Sequence, residues 1–300
     1  MSMELARKEV PLQAPPKNAA ESASVHVPRG AVRVGLAGLG AIGMNVAERL
    51  LRGDIPGATL CAVNARDLSK AQANLQSLDA NHRVAVVPLD ALMSHADIIC
   101  ECATAEAFPE IAKAAMLAGK TLITVSVAGL PNCPELTDLA IAHGGKIRVA
   151  SGGLPGLDII RGAREDEISY IKLTTTFRPE SLAHEPFVLA LGHDFSVPPS
   201  SPVKVFEGTA RQAAVAFPRH FNVAIALSLG GAGFDKTQIE VWVDADVEWA
   251  VQHIDVLADA CDLTLEARHR PSRNPRSSRI VAPSIMAALR SYIDPIHIGT

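Results

Sequence analysis

The sequence predicts an α/β fold, a doubly wound parallel sheet followed by a second, α+β unit built on a mostly antiparallel sheet. Three observations predict it. Short strands, apolar on both faces, alternate with helical stretches up to residue 150. Glycines punctuate the first strand-to-helix turn at a fixed spacing. After Ser151 the strands lengthen, alternate and become rich in Ile and Thr. Strands apolar on both faces and separated by helices imply a parallel sheet covered on both sides. Partial alternation suits a sheet with one wet face.

The elements of the first half follow in order. VRVGLAG (Val32–Gly38) is a valine-rich run that ends in glycine. In AIGMNVAERLLRG, Ile42, Val46 and Leu50 recur at helical spacing and Gly53 marks the stop. TLCAVN, VAVVPL, ADIICECA, KTLITVSV and KIRVAS read as strands two to six. SKAQANLQSL, FPEIAKAAMLAG and PELTDLAIAHGG read as helices between them.

In the second half ISYIKLTTTF, VKVFEG, TQIEVWVDA, HIDVLADA and LTLEARH read as strands. TARQAAVAF and FNVAIALSLGG read as helices separated by Pro218. EPFVLALGHDFSVPPSSPVK reads as a long proline-rich loop, and NPRSSRIVAPSIMAALRSYI as a loop and a last helix.

Composition narrows the function classes. A chain of 300 residues suggests two domains. The net charge of −4 carries no basic patch, so no nucleic-acid partner is expected. No apolar run reaches the roughly 18 residues of a membrane span, so no membrane partner is expected either. Residues 1–30 hold several prolines and no sustained apolar period, and read as a mobile tail. They lack the apolar core of a signal peptide, and a cytoplasmic location is expected. Five cysteines leave an odd one over. Cys100 and Cys102 share one strand face and read as buried, reduced thiols, with no metal site expected.

GLGAIG places Gly38, Gly40 and Gly43 in the G-x-G-x-x-G spacing. It follows a strand and opens a helix, the context that makes this pattern a dinucleotide fingerprint. Gly38 permits the tight turn, Gly40 the approach of a pyrophosphate, and Gly43 the close packing of helix on strand. Ala41 and Ile42 then begin a helix whose free N–H groups face the phosphates. The first unit is thus a Rossmann-type dinucleotide-binding domain over residues 31–150. A substrate domain follows over 151–271, and a loop and helix over 272–300 are expected to pack back on the first domain.

About 20 residues past the glycines such folds place an acid on the adenosine ribose. This chain has Asn64, Ala65 and Arg66 there, with Asp67 beyond the strand end. Asn64 can bond a hydroxyl without repelling a 2′-phosphate, and Arg66 is placed to bind one. The expected cofactor is NADP or NAD, with NADP at least as good.

Nicotinamide chemistry needs a group that manages a proton, and histidine titrates near neutrality. The chain has ten histidines. His26 lies in the tail, and His82, His95 and His143 lie away from the domain junction. His220, in FPRHFN, and His253, which opens HIDVLADA, fall in the substrate domain.

From Val32 onward the sequence resembles the L-aspartate dehydrogenase family. The resemblance rests on GLAGLGAIG, ECATAEAF, SVAGL, ASGGLPGLD and FRPESL, and continues through FEGTARQAAVAFPRHFNVA, VDADVEWAVQHIDV and NPRSSRIVAPSIMAAL. It implies that His253 acts in catalysis and that Asn222 touches the cofactor. It also places Ser151, Gly152 and Gly153 beside the nicotinamide, and Ala103 of ECATAEAF joins the expected cofactor contacts. Three positions depart from the family pattern. Gly153 replaces the usual alanine, His220 replaces an asparagine, and Arg178-Pro179 replaces Lys-Pro.

The resemblance implies oxidative deamination of L-aspartate, or the reverse reductive amination, in a homo-oligomer. Ser151, Gly152, Arg178 and His220 are the expected substrate contacts, and the small-molecule partners are a dicarboxylic amino acid and ammonia. Two alternatives stay open. One is a related imine or oxo-acid reductase, and the other is a nucleotide-binding sensor without catalysis.

Overall fold

The computed structural model describes residues 30–78, 84–217, 221–271 and 278–299. His220, the expected mobile tail up to residue 29, and residues 272–277 of the last loop lie outside the described residues.

Six strands form the first sheet: β1 (Val32–Ala37), β2 (Ala58–Asn64), β3 (Ala85–Val86), β4 (Ile98–Glu101), β5 (Thr121–Thr124) and β6 (Lys146–Val149). Their order is β3-β2-β1-β4-β5-β6, and every pairing is parallel. The order reverses between β1 and β4. Both faces are covered, as the doubly apolar strands require. On one face α1 (Ala41–Leu51) and α2 (Leu68–Gln76) bury Val46, Leu50, Ala71 and Leu75 against Val34, Leu36 and Val63. On the other, α3 (Leu89–His95), α4 (Phe108–Leu117) and α5 (Glu135–His143) bury Leu92, Phe108, Met116 and Leu136 against Ala37, Ala62 and Ile99.

Strand three is shorter than VAVVPL suggests. Pro88 lacks an N–H and restrains the residue before it; it instead precedes α3, which periodicity alone did not show. KTLITVSV likewise yields a strand only to Thr124, and a 3₁₀ turn over Val127–Asn132 replaces its end.

After β6, a helix α6 (Leu157–Ala163) precedes β7 (Ile168–Phe177). A short helix α7 (Pro179–Leu182) follows β7, and the segment read as a long loop contains α8 (Pro186–Ala190). Each opens on a proline in its first turn, where the missing N–H costs nothing. Then come β8 (Val203–Thr209), α9 (Ala210–Ala216), α10 (Asn222–Gly230), β9 (Gln238–Val243), β10 (Ala250–Ala258) and β11 (Asp262–His269). The second sheet has the order β11-β10-β7-β9-β8, with only β7 and β9 parallel.

One face of this sheet is buried. Ile171, Leu173, Ile239, Val241, Ile254 and Val256 pack under α6, α9 and α10. Phe187, Phe206, Phe217 and Phe221 add a chain of ring contacts at centroid distances of 5.0 to 5.9 Å. The opposite face carries Lys172, Thr174, Glu240, His253, Asp255 and Glu266, by the two-residue alternation of a strand.

The last helix, α11 (Val281–Arg290), returns to the first sheet. Ala282, Ile285, Met286 and Leu289 join the core beside α1 and β5. None of the helices among the described residues is long and apolar enough to cross a membrane.

Candidate active site

Ligands of open parallel sheets bind outside the carboxyl ends of the strands, where the strand order reverses. Here that edge begins at the turn from β1 into α1. Gly38 has a φ of +104°, and a Cβ on it would lie 2.7 Å from the Ala103 nitrogen. A Cβ on Gly43 would lie 2.1 Å from the Gly38 carbonyl oxygen. These two glycines serve the fold. Gly40 differs, because a Cβ there meets nothing within 4 Å. It leaves a bare approach to the N-terminus of α1. The first hydrogen bond of that helix runs from Met44 N–H to the Gly40 carbonyl, at 2.8 Å. The N–H groups of Ala41, Ile42 and Gly43 therefore have no partner within the helix. No acid sits in its first turn. An open space before unpaired N–H groups and a positive helix end fits a pyrophosphate.

Asn64, at the end of β2, accepts from Gly38 N–H on its backbone at 2.7 Å. Its side-chain amide donates to the Val87 carbonyl at 2.9 Å, and its Oδ1 could accept from a ligand hydroxyl. Asp67 caps α2 by accepting from Lys70 N–H at 2.9 Å. Arg66 is exposed, and among the described residues no carboxylate pairs with it.

Beyond the switch point, a buried carboxylate organises the loops. Glu101, at the end of β4, has 0% exposure. It accepts from Ala103 N–H at 2.7 Å, Thr124 hydroxyl at 2.7 Å and Ser126 N–H at 3.3 Å. Burial pushes its pKa up, and those hydrogen bonds oppose the rise. Ser126 hydroxyl in turn donates to the Ala103 carbonyl at 3.2 Å. The polar backbone groups of Ala103 are thus engaged inside the protein, and a cofactor would meet its surface. Cys100 and Cys102 are buried free thiols, and burial raises Cys100 to about 12.

Asn222, the first residue of α10, accepts from Ala128 N–H at 2.9 Å. This bond ties the 3₁₀ turn after β5 to the helices of the second sheet. The Asn222 amide N–H groups remain as donors for a ligand. After β6, Ser151, Gly152 and Gly153 turn the chain, with Leu154 N–H donating to the Ser151 carbonyl at 2.9 Å. Gly152 has a φ of +59° and donates its N–H to Ser284 hydroxyl of α11 at 3.1 Å. That bond engages the Gly152 N–H inside the protein.

Two expected residues belong to the second sheet and its flanking loop. Arg178 follows β7, is exposed, and donates to the Glu180 carboxylate and to the Glu248 carbonyl. His253 lies on the sheet face opposite α10, since its neighbours Gln252 and Ile254 take the buried face. Its Nε2–H donates to Asp255 Oδ1 at 3.1 Å, and Asp255 also accepts from Thr264 hydroxyl at 3.2 Å. Its side chain is 37% exposed.

The sequence reading missed Glu101, Ser284 and His269. His269 ends β11 on the inner face, beside Gly153. A Cβ on Gly153 would lie 3.1 Å from its Cε1. The signal was available in LTLEARH, where alternation puts His269 on the same face as Leu263 and Leu265.

Residues 38–150 match the family described as Homoserine dehydrogenase, NAD binding domain. With the bare glycine cradle, this places the chain among the nicotinamide-dependent dehydrogenases that pair a dinucleotide-binding sheet with a second, mixed sheet. Residues 158–292 match Aspartate dehydrogenase, C-terminal. L-aspartate dehydrogenase 3 of Bordetella bronchiseptica is 40% identical over 267 residues, 89% of this chain and 97% of that one. L-aspartate dehydrogenase of Bradyrhizobium diazoefficiens is 40% identical over 269 residues, 90% of this chain and 94% of that one. The chain belongs to the L-aspartate dehydrogenase family, oxidoreductases acting on the CH–NH2 group of a donor. The solved aspartate dehydrogenase of Thermotoga maritima shares the fold, with a TM-score of 0.64 at 18% identity over 89% of this chain and 99% of that one.

Proposed function

We propose that the protein oxidatively deaminates L-aspartate to iminoaspartate and oxaloacetate, or runs the reverse reductive amination, and accepts NADP at least as well as NAD. The observation that carries this reading is the 40% identity to L-aspartate dehydrogenases along about nine-tenths of the chain. The bare Gly40 cradle supports the cofactor, and the absence of an acid at Asn64–Arg66 supports tolerance of a 2′-phosphate. When bound, the nicotinamide supplies hydride acceptance or donation.

The chain's own residues hold and ready the substrate. Loss of hydride from the α-carbon needs a neutral α-amine, so a base must take its proton. The family resemblance assigns this to His253. Asp255 binds Nε2–H, which leaves the Nδ1 lone pair as the basic site. General acid–base help of this kind is worth about 10²–10⁴-fold in rate. Since His253 lies on the open sheet face, the reading includes a homo-oligomer in which a second copy covers that face. Arg178 and His220 are the proposed cationic partners of the substrate carboxylates. His220, which departs from the family asparagine, also favours a second reading, a related imine or oxo-acid reductase.

A panel of amino and oxo acids, followed by cofactor absorbance, separates the two. Turnover of aspartate, or of oxaloacetate with ammonia, above every other pair is expected; a better substrate elsewhere favours the second reading. His253→Ala should lower kcat/KM by about 10²–10⁴-fold, and undiminished turnover removes His253 from the chemistry.

A further inference from the structure

We propose that His269 is a substrate-binding residue, its Nε2–H donating a hydrogen bond to a carboxylate oxygen at the Ser151–Gly153 turn. The inference rests on the dicarboxylate reading above and adds a residue to it.

Four observations converge on this ring. First, it stands at the carboxyl edge of the first sheet, because the turn that follows β6 lies against it. Second, the turn makes room for it. A Cβ on Gly153 would fall 3.1 Å from Cε1, 3.5 Å from Nδ1 and 3.6 Å from Nε2. A side chain at this position would ask the ring to shift by a few tenths of an ångström. Third, a neighbour suits the tautomer that a carboxylate requires. Ser278 hydroxyl lies 3.2 Å from Nδ1. A carboxylate at Nε2 selects the form with the ring proton there, and the Ser278 hydroxyl then donates to Nδ1. Fourth, Nε2 is buried and has no hydrogen-bond partner among the described residues. Buried polar groups are nearly always paired, so an unpaired ring nitrogen beside this turn points to a bond made with a ligand.

Two donors of the turn are engaged, Gly152 N–H by Ser284 and Leu154 N–H by the Ser151 carbonyl. His269 adds a donor from outside the turn for a carboxylate bound there. Burial lowers the pKa of this imidazole, so at neutral pH it acts as a neutral donor rather than a cation.

The test compares His269→Phe, which keeps a ring but no N–H, with His269→Gln, whose amide offers a donor near the position of Nε2. The readouts are KM for the amino acid, KM for the cofactor, Tm, and the affinity of the cofactor-loaded protein for succinate and oxaloacetate, read by nicotinamide fluorescence. The expected result for His269→Phe is a rise of tenfold or more in KM for the amino acid and in both dicarboxylate constants. Its cofactor KM should stay within twofold, and His269→Gln should recover most of the loss. Unchanged substrate constants in His269→Phe overturn the proposal. So does a loss shared equally by substrate and cofactor along with Tm, and so does a wild-type protein that binds neither dicarboxylate. If the wild type prefers an amino acid other than aspartate, the substrate reading falls, and the same ratios taken with that substrate still decide His269.

Discussion

Arg66 and His269 have opposite settings, and each sets a measurable property. Arg66 stands in solvent one residue beyond an alanine and two beyond the strand end. Under the proposed function its guanidinium binds a 2′-phosphate in the bidentate manner that arginine favours. Arg66→Ala should weaken NADPH more than NADH by about 1–3 kcal/mol, the range of a lost charge-assisted hydrogen bond. Comparison of kcat/KM for the two cofactors measures it, and equal losses discard the role. His269 is half-buried, and its pKa is lowered from 6.5 by desolvation. Between the lowered value and 6.5 the unfolded chain binds more protons than the native one, so stability rises with pH there. This contribution is complete above 6.5 and is lost as pH falls toward the folded value. Urea denaturation at a series of pH values from about 7 to 5 should show this loss, and His269→Phe should flatten it. Glu101 has the reverse sign, because burial raises its pKa: its share is complete below 4.5 and is lost as pH rises through the folded value.

At the scale of the element, the turn from β1 into α1 separates two requirements that the glycine spacing merges. A Cβ at Gly43 would strike the Gly38 carbonyl, whereas one at Gly40 would enter open space before the helix. Gly40→Ala should leave Tm nearly unchanged, since a Cβ there meets nothing within 4 Å, yet weaken cofactor binding. Gly43→Ala should destabilise the protein itself, as its Cβ would lie 2.1 Å from the Gly38 carbonyl oxygen. Thermal melts with and without NADPH check both, and equal behaviour of the two variants removes the distinction. The same contrast explains what was legible in the sequence. The glycines are read from local backbone demands, and Ile168–Phe177 from its unbroken alternation. Short helices such as Leu89–His95 and Leu157–Ala163 are too brief for periodicity to stand out. Asn64 was legible as a strand-end residue. Ser284 was not, because its partner Gly152 is 132 residues away. The role of His253 came from the family resemblance, and the alternation of β10 puts its side chain on the open face of the sheet.

At the scale of the molecule, three cores hold the chain together, and one of them joins residues from both ends of the described sequence. Val34 and Leu36 of β1 share a core with Ile285 and Leu289 of α11. Leu289 has 0% exposure, so Leu289→Ala should cost about 2–5 kcal/mol. Because Ser284 of the same helix holds the Gly152 turn, the loss should also reach cofactor affinity. Denaturation together with cofactor titration tests this, and an unchanged affinity would show that the helix only braces the sheet.

The placement of α11 also orders events during synthesis. All six strands of the first sheet are made before any strand of the second, and α11 follows them all. A nascent chain that has just completed β6 therefore carries an uncovered apolar groove along α1 and β5, and its Gly152 N–H still awaits Ser284. The contacts of α11 with α1, β5 and the Gly152 turn therefore close only after the second sheet has been synthesised.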